Sequence, residues 1–195
     1  MKQVIKAATL LMSLYMLIIL TACGRIWVAG GGDVWEFLDV AELASVSTDI
    51  VRVEVLDSRE EWIITLLPPF PPDINLSDEY ELCTVHRLRV IEVFKGSEES
   101  GAIMEVMQLG GLSNRRSFMS DSFVDFAIGD DLILFMESFG YERPAVLLTP
   151  HQSVYRVITS VDGSLNIENF CESNDFILTM EELKRIADEY FGRYP

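Results

Sequence analysis

Basic residues, cysteine and histidine are all scarce in this sequence: 15 Lys and Arg stand against 31 Asp and Glu, with three cysteines and two histidines in 195 residues. Each scarcity excludes something. A net charge of -16 repels phosphate, so a nucleic-acid partner held by counterion release is not expected. His86 and His151 are the only imidazoles, too few and too widely spaced for a tetrahedral zinc site with the available cysteines. Either could serve Ser120 or Ser153 as a base, yet neither stands in a nucleophile-elbow or triad pattern. No catalytic residue, metal or cofactor is therefore expected. No repeat or low-complexity segment interrupts the chain.

What is present begins at the N-terminus. Lys2 and Lys6 flank the start of an almost unbroken apolar run from Leu10 to Leu20, and Leu20-Thr21-Ala22-Cys23 places a small residue directly before a cysteine. This resembles the lipobox of bacterial lipoproteins. The resemblance implies cleavage after Ala22 and a diacylglyceryl thioether on Cys23. A retained spanning helix is the weaker reading: Ala7 to Ala22 is only 16 residues, broken by Thr9, Ser13 and Thr21, and a span needs about 20. The expected organisation is a signal peptide over 1–22, a lipidated Cys23 with a glycine-rich flexible tether over 23–33, and a single domain over 34–195. The mature chain carries 13 basic and 31 acidic residues, a charge of -18. It is expected on the extracytoplasmic face of the cell membrane, lipid-anchored, with the membrane as one partner and a protein or cell-wall component as another.

The domain reads as mainly β. Asp39 and Glu42 have capping-box spacing and predict a short helix over Val40 to Ser45. Valines alternate with charges from Ile50 to Val55, a strand with one buried face that residues 56 to 66 either continue or turn into a hairpin. The proline cluster from Leu67 to Asp73 is a loop. Tyr80 to Phe94 is the longest strand, and its apolar parity changes by Leu88 and again at Ile91, which predicts a bulge or bend. Ile103 to Leu109 follows, stopped by Gly110-Gly111, then a polar loop from Leu112 to Asp125. Leu132 to Met136 is apolar throughout and predicts burial on both faces. Short strands over Ala145 to Leu148, Val154 to Ile158 and Leu165 to Ile167 precede an amphipathic helix capped by Thr179 and Glu182, with Leu183, Ile186, Ala187, Tyr190 and Phe191 at helical spacing.

Strand density with one long bent strand suits a small antiparallel β-barrel. The runs Asp49 to Val55, Val90 to Gly96, Ala127 to Phe135 and Tyr155 to Val157 resemble a group of bacterial secreted and lipoprotein domains of undetermined activity. Their barrels are similar to the OB-fold and to the netrin-like domain of tissue inhibitors of metalloproteinases. The resemblance implies an OB-like barrel with a short N-terminal helix and a C-terminal helix, and carries no catalytic chemistry. In such inhibitors an N-terminal cysteine chelates the target's zinc. Here Cys23 would be lipidated and separated from the barrel by a ten-residue tether, a departure that counts against that mechanism.

Several sites follow from residue type. An oxidising location permits a disulfide between Cys83 and Cys171, worth roughly 3–5 kcal/mol for so long a loop; a buried reduced thiol at Cys83 is the equal alternative. The turn from Thr149 to Ser153 places His151 and Gln152 between two apolar strands and is the best candidate for a functional loop. Asp73 to Asp78 opens like a calcium loop but lacks its glycine and its closing glutamate. Asp121, Asp125, Asp130 and Asp131 read as a solvated acidic turn, with a cluster around a cation as the alternative. Trp62 and Phe70 form either an exposed aromatic patch or part of the core. The expected activity is non-catalytic binding of an unspecified ligand; the alternative is an inhibitor of, or accessory to, an extracellular hydrolase.

Overall fold

In the computed structural model, which describes residues 36–65, 80–113, 116–119, 123–139 and 143–193, the first described element is helix α1 (Val40–Val46). Cys23 and its flanking segments, the proline cluster with Phe70, the Asp73 to Asp78 run, Ser120 and Asp121 lie outside the described residues. Capping sets both ends of α1. Asp39 Oδ1 accepts from the Glu42 amide at 2.8 Å, and Glu42 Oε2 reaches back to the Leu38 amide at 2.9 Å, one residue earlier than a reciprocal box. At the other end Lys95 Nζ donates to the Ala44 and Ser45 carbonyls at 2.8 and 3.3 Å, a cation on the orphan acceptors of the last turn.

Among the described residues eight strands follow: β1 (Asp49–Ile64), β2 (Tyr80–Lys95), β3 (Ile103–Ser113), β4 (Arg116–Met119), β5 (Asp131–Glu137), β6 (Ala145–Leu147), β7 (Val154–Thr159) and β8 (Leu165–Asn169). Helix α2 (Met180–Arg193) closes the chain. Residues 56 to 64 continue β1 rather than turning. The segment read as a loop after Leu109 is in part strand, because Gly110 at φ 107° lets β3 run on to Ser113, where β4 pairs back on it.

The pairing order β1-β2-β3-β6-β5 closes on itself through β1–β5, so five strands form a ring, with β7 and β8 added outside β5. All pairs in the ring are antiparallel except β3–β6. Closure demands strong bending, and the register supplies it. Phe94 and Ile91 are skipped in β2, and Leu56 is skipped in β1. The bulge expected near Ile91 is present. The parity change near Leu88 has another origin: Leu88 and Val90 face the ring interior, whereas Cys83 and Val85 pack on the opposite face with Met107, Ile63, Leu109 and Val146. Two apolar faces share one strand.

The interior is filled by Val51, Val53, Val55, Leu88, Val90, Val106, Leu132, Leu134 and Met136. Every residue from Leu132 to Met136 is fully buried, as its continuous apolarity requires. Turn contacts are tight where strands end. Gly96 has φ 117°, and a Cβ there would lie 2.2 Å from Asp49 Oδ1, so only glycine fits beside the buried Asp49. In α2 the Glu182 amide donates to Thr179 Oγ1 at 3.1 Å, and Leu183 and Ile186 are buried as the helix packs against β2 and β8. Among the described residues no helix is long and apolar enough to cross a membrane.

Candidate functional site

Beyond Glu54, β1 loses its β5 partner, and beyond Cys83 the β2 strand loses β3. The distal parts of β1 and β2 thus form an arm beyond the ring, flanked by β3 from Asp57 opposite Arg87 to Glu61 opposite Cys83 and two-stranded from Trp62 opposite Leu82 to Ile64 opposite Tyr80. The bulge at Leu56 resets the phase of β1, so Ser58 rather than Asp57 faces the same side as the ring interior. Residues opposite one another in a ladder share a face. Ser58, Glu60, Trp62 and Ile64 therefore lie on one face with His86, Thr84, Leu82 and Tyr80. The other face is covered near Ile63 and Cys83, which pack with Val146 beside Arg143, a donor to the Thr65 carbonyl at 3.0 Å, and carries solvent-exposed ion pairs of Arg59 and Arg87 elsewhere.

At the base of the open face a polar network is buried. Gln108 is 5 % exposed and His86 1 %. The Val124 amide donates to Gln108 Oε1 at 2.9 Å, and Gln108 Nε2 donates to the Val124 carbonyl at 2.9 Å. That pairing fixes which end of the amide faces His86: Nε2 lies 3.0 Å from His86 Nε2 and donates to it. The imidazole proton is then on Nδ1, which donates to Ser58 Oγ at 2.7 Å. Phe126 packs against the ring at a tilt of 48°, centroids 4.6 Å apart. Burial pulls the His86 pKa down to about 4, against an opposing pull from Asp125. A serine and a histidine are thus in hydrogen-bond contact, but the basic nitrogen is turned away from the hydroxyl. His86 in this state offers Ser58 no proton acceptor.

Toward the tip the face opens to solvent. Trp62 is 63 % exposed and Tyr80 46 %; they are diagonal cross-strand neighbours, a relation that sets backbones about 7–8 Å apart. Glu60 lies over Gly111, where a Cβ would come within 2.9 Å of Glu60 Oε1. Trp62 therefore belongs to an exposed patch and not to the core.

The residues singled out by sequence are dispersed. Gln152 spans the Phe37 backbone, accepting from its amide at 2.9 Å and donating to its carbonyl at 3.2 Å, so it holds the start of the described chain onto the 149–153 turn. His151 is half-exposed on that turn. Ser153 is fully buried, and its Oγ accepts from the Thr149 amide. Beside Gln152 lies an open cleft of about 920 Å³, lined among others by Leu38, Asp175, Ile177 and Glu182. The permitted disulfide is not formed: Cys83 and Cys171 are free thiols, one packed under the arm and the other against the ring interior. Burial pushes the Cys83 thiol up to about 11 and raises Cys171 too, so neither is an activated nucleophile. Asp130 accepts from the Ala127 amide within its own turn, and Asp131 forms a two-pronged ion pair with Arg52. Among the described residues no three His, Cys, Asp or Glu side chains gather as a metal site requires.

Sequence reasoning passed over Ser58, Gln108 and Tyr80. Only the sheet register joins them. Set against known proteins, the chain matches no family model and no curated protein.

Proposed function

We propose that this chain is a lipid-anchored extracytoplasmic lipoprotein whose domain, an OB-like barrel, binds a component of the cell envelope through the open face of the β1–β2 arm without catalysis. The closed ring of five strands with one parallel pair supports the barrel reading. The observation that carries the binding reading is the exposed Trp62 and Tyr80 pair, at diagonal positions on the face of the arm opposite its ion-paired arginines. Large aromatics left in water on a rigid strand pair are the usual anchors of recognition.

The arm is tested by sedimenting residues 33–195, the unit that carries the whole described core, with protein-containing envelope fragments. The wild-type domain is expected in the pellet and a Trp62→Ala/Tyr80→Ala double variant in the supernatant. Equal pelleting of both would discard the arm as the binding surface. The anchor is tested in the full chain with a labelled fatty acid: the wild type incorporates label and Cys23→Ser does not. An unlabelled wild-type chain in the soluble fraction would remove the lipoprotein reading.

A further inference from the structure

We infer that the ligand of the arm face is an uncharged glycan, which rests on the arm face being the binding surface. Charge is the first ground. Arg52, Arg59, Arg87 and Arg89 lie on the opposite face of the β1–β2 ladder, each already engaged with Asp131, Glu105, Asp57 or Glu54 at 2.6 to 3.4 Å. On the open face the charged side chain between Ser58 and Ile64 is Glu60, with Asp125 close enough to His86 to act on its charge. Among the described side chains a phosphate-bearing or otherwise anionic polymer meets no cation there.

The remaining chemistry suits a sugar. Trp62 and Tyr80 are flat and solvent-facing, and a pyranose stacks its C–H face on such rings while its hydroxyls need donors and acceptors at the edge. Both are supplied on the same face. Because His86 Nδ1 donates to Ser58 Oγ, the Ser58 hydrogen is directed elsewhere and serves as a donor, and the Glu60 carboxylate serves as an acceptor. Two exposed aromatics at diagonal ladder positions give a chain of sugars more than one ring to stack on.

Titrating residues 33–195 with the uncharged hexamer of β-1,4-linked N-acetylglucosamine, by calorimetry and tryptophan fluorescence, tests this. Saturable binding is expected, little changed by salt, at least about tenfold weaker in Trp62→Ala, and about three- to tenfold weaker in Ser58→Ala and in Glu60→Gln. Trp62→Phe keeps most of it. No binding of the hexamer, with Trp62-dependent envelope pelleting intact, overturns the glycan but leaves the arm. Hexamer binding that Trp62→Ala and Tyr80→Ala do not weaken overturns the arm itself. Trp62-dependent, salt-sensitive binding of an oligolysine peptide in place of the hexamer assigns a cationic partner and overturns the glycan.

Discussion

Replacing Gln108 with leucine is expected to remove about 3–5 kcal/mol of stability, read as a lowered urea midpoint with an unchanged slope. Leucine fills much the same space, so the loss is not one of volume. Three hydrogen bonds disappear together, and the groups left behind, His86 Nε2 and the Val124 amide and carbonyl, sit where water does not reach. An orphaned buried polar group costs about 1–3 kcal/mol, and neighbouring losses are not additive. Gln108→Glu separates the proton arrangement from the stability. A carboxylate still accepts from the Val124 amide, but it gives His86 Nε2 an acceptor where a donor stood. The imidazole must then carry its proton on Nε2 or become charged. Nitrogen-15 spectra are expected to show the Nδ1–H tautomer in the wild type, and the Nε2–H tautomer or imidazolium in the glutamate variant. An Nε2–H signal in the wild type contradicts the clasp built by Gln108 and Val124. The same exchange turns a basic nitrogen toward Ser58, which shows how a single amide holds this pair in an unreactive arrangement.

Local rules reach some of this molecule and stop at others. Asp39 and Glu42 mark the start of α1, and the apolar run from Leu132 to Met136 marks the strand buried on both faces, because capping and burial on both sides leave a signature within a few neighbouring residues. The bulge at Ile91 is legible for the same reason. The arm face is not. Ser58, His86 and Gln108 are brought together only by two ladders whose register depends on Leu56 being skipped in β1. Nothing local announces that skip. The parity change between Val85 and Leu88 misleads as a bend, since alternation cannot distinguish one kinked face from two buried ones. Gln152 stands out in the sequence for its place between apolar strands, and that place explains its actual work of fastening Phe37. A polar side chain in such a turn is as readily a staple as a ligand contact. Which of Trp62 and the neighbouring isoleucines stays in solvent depends on what covers each face, and Arg143, far along the chain, covers one of them.

Between pH 6.5 and pH 4 the folded state is expected to lose about 3 kcal/mol through His86 alone. Unfolded, the imidazole titrates near 6.5; folded, burial holds it at about 4. Over that window the unfolded chain binds the additional proton, so stability falls as pH falls, by about 1.4 kcal/mol per unit, and the loss is complete below pH 4. The geometry explains why the folded state resists the proton. A charged imidazole has two N–H donors, and His86 Nε2 already faces the Gln108 amide nitrogen, another donor whose orientation Val124 locks. Relief requires the amide to turn, and a turned amide sets nitrogen against the Val124 amide and oxygen against its carbonyl. Glu137 works in the other direction: burial raises its carboxyl pKa, so its protonation favours the folded state as acid is added and masks part of the loss. The comparison that isolates His86 is the difference in pH slope between the wild type and His86→Gln. Whatever the variant's absolute stability, its slope between pH 4 and 6.5 is expected to be shallower by close to one proton. Parallel slopes would mean that His86 keeps an ordinary pKa when folded and that the amide clasp turns freely.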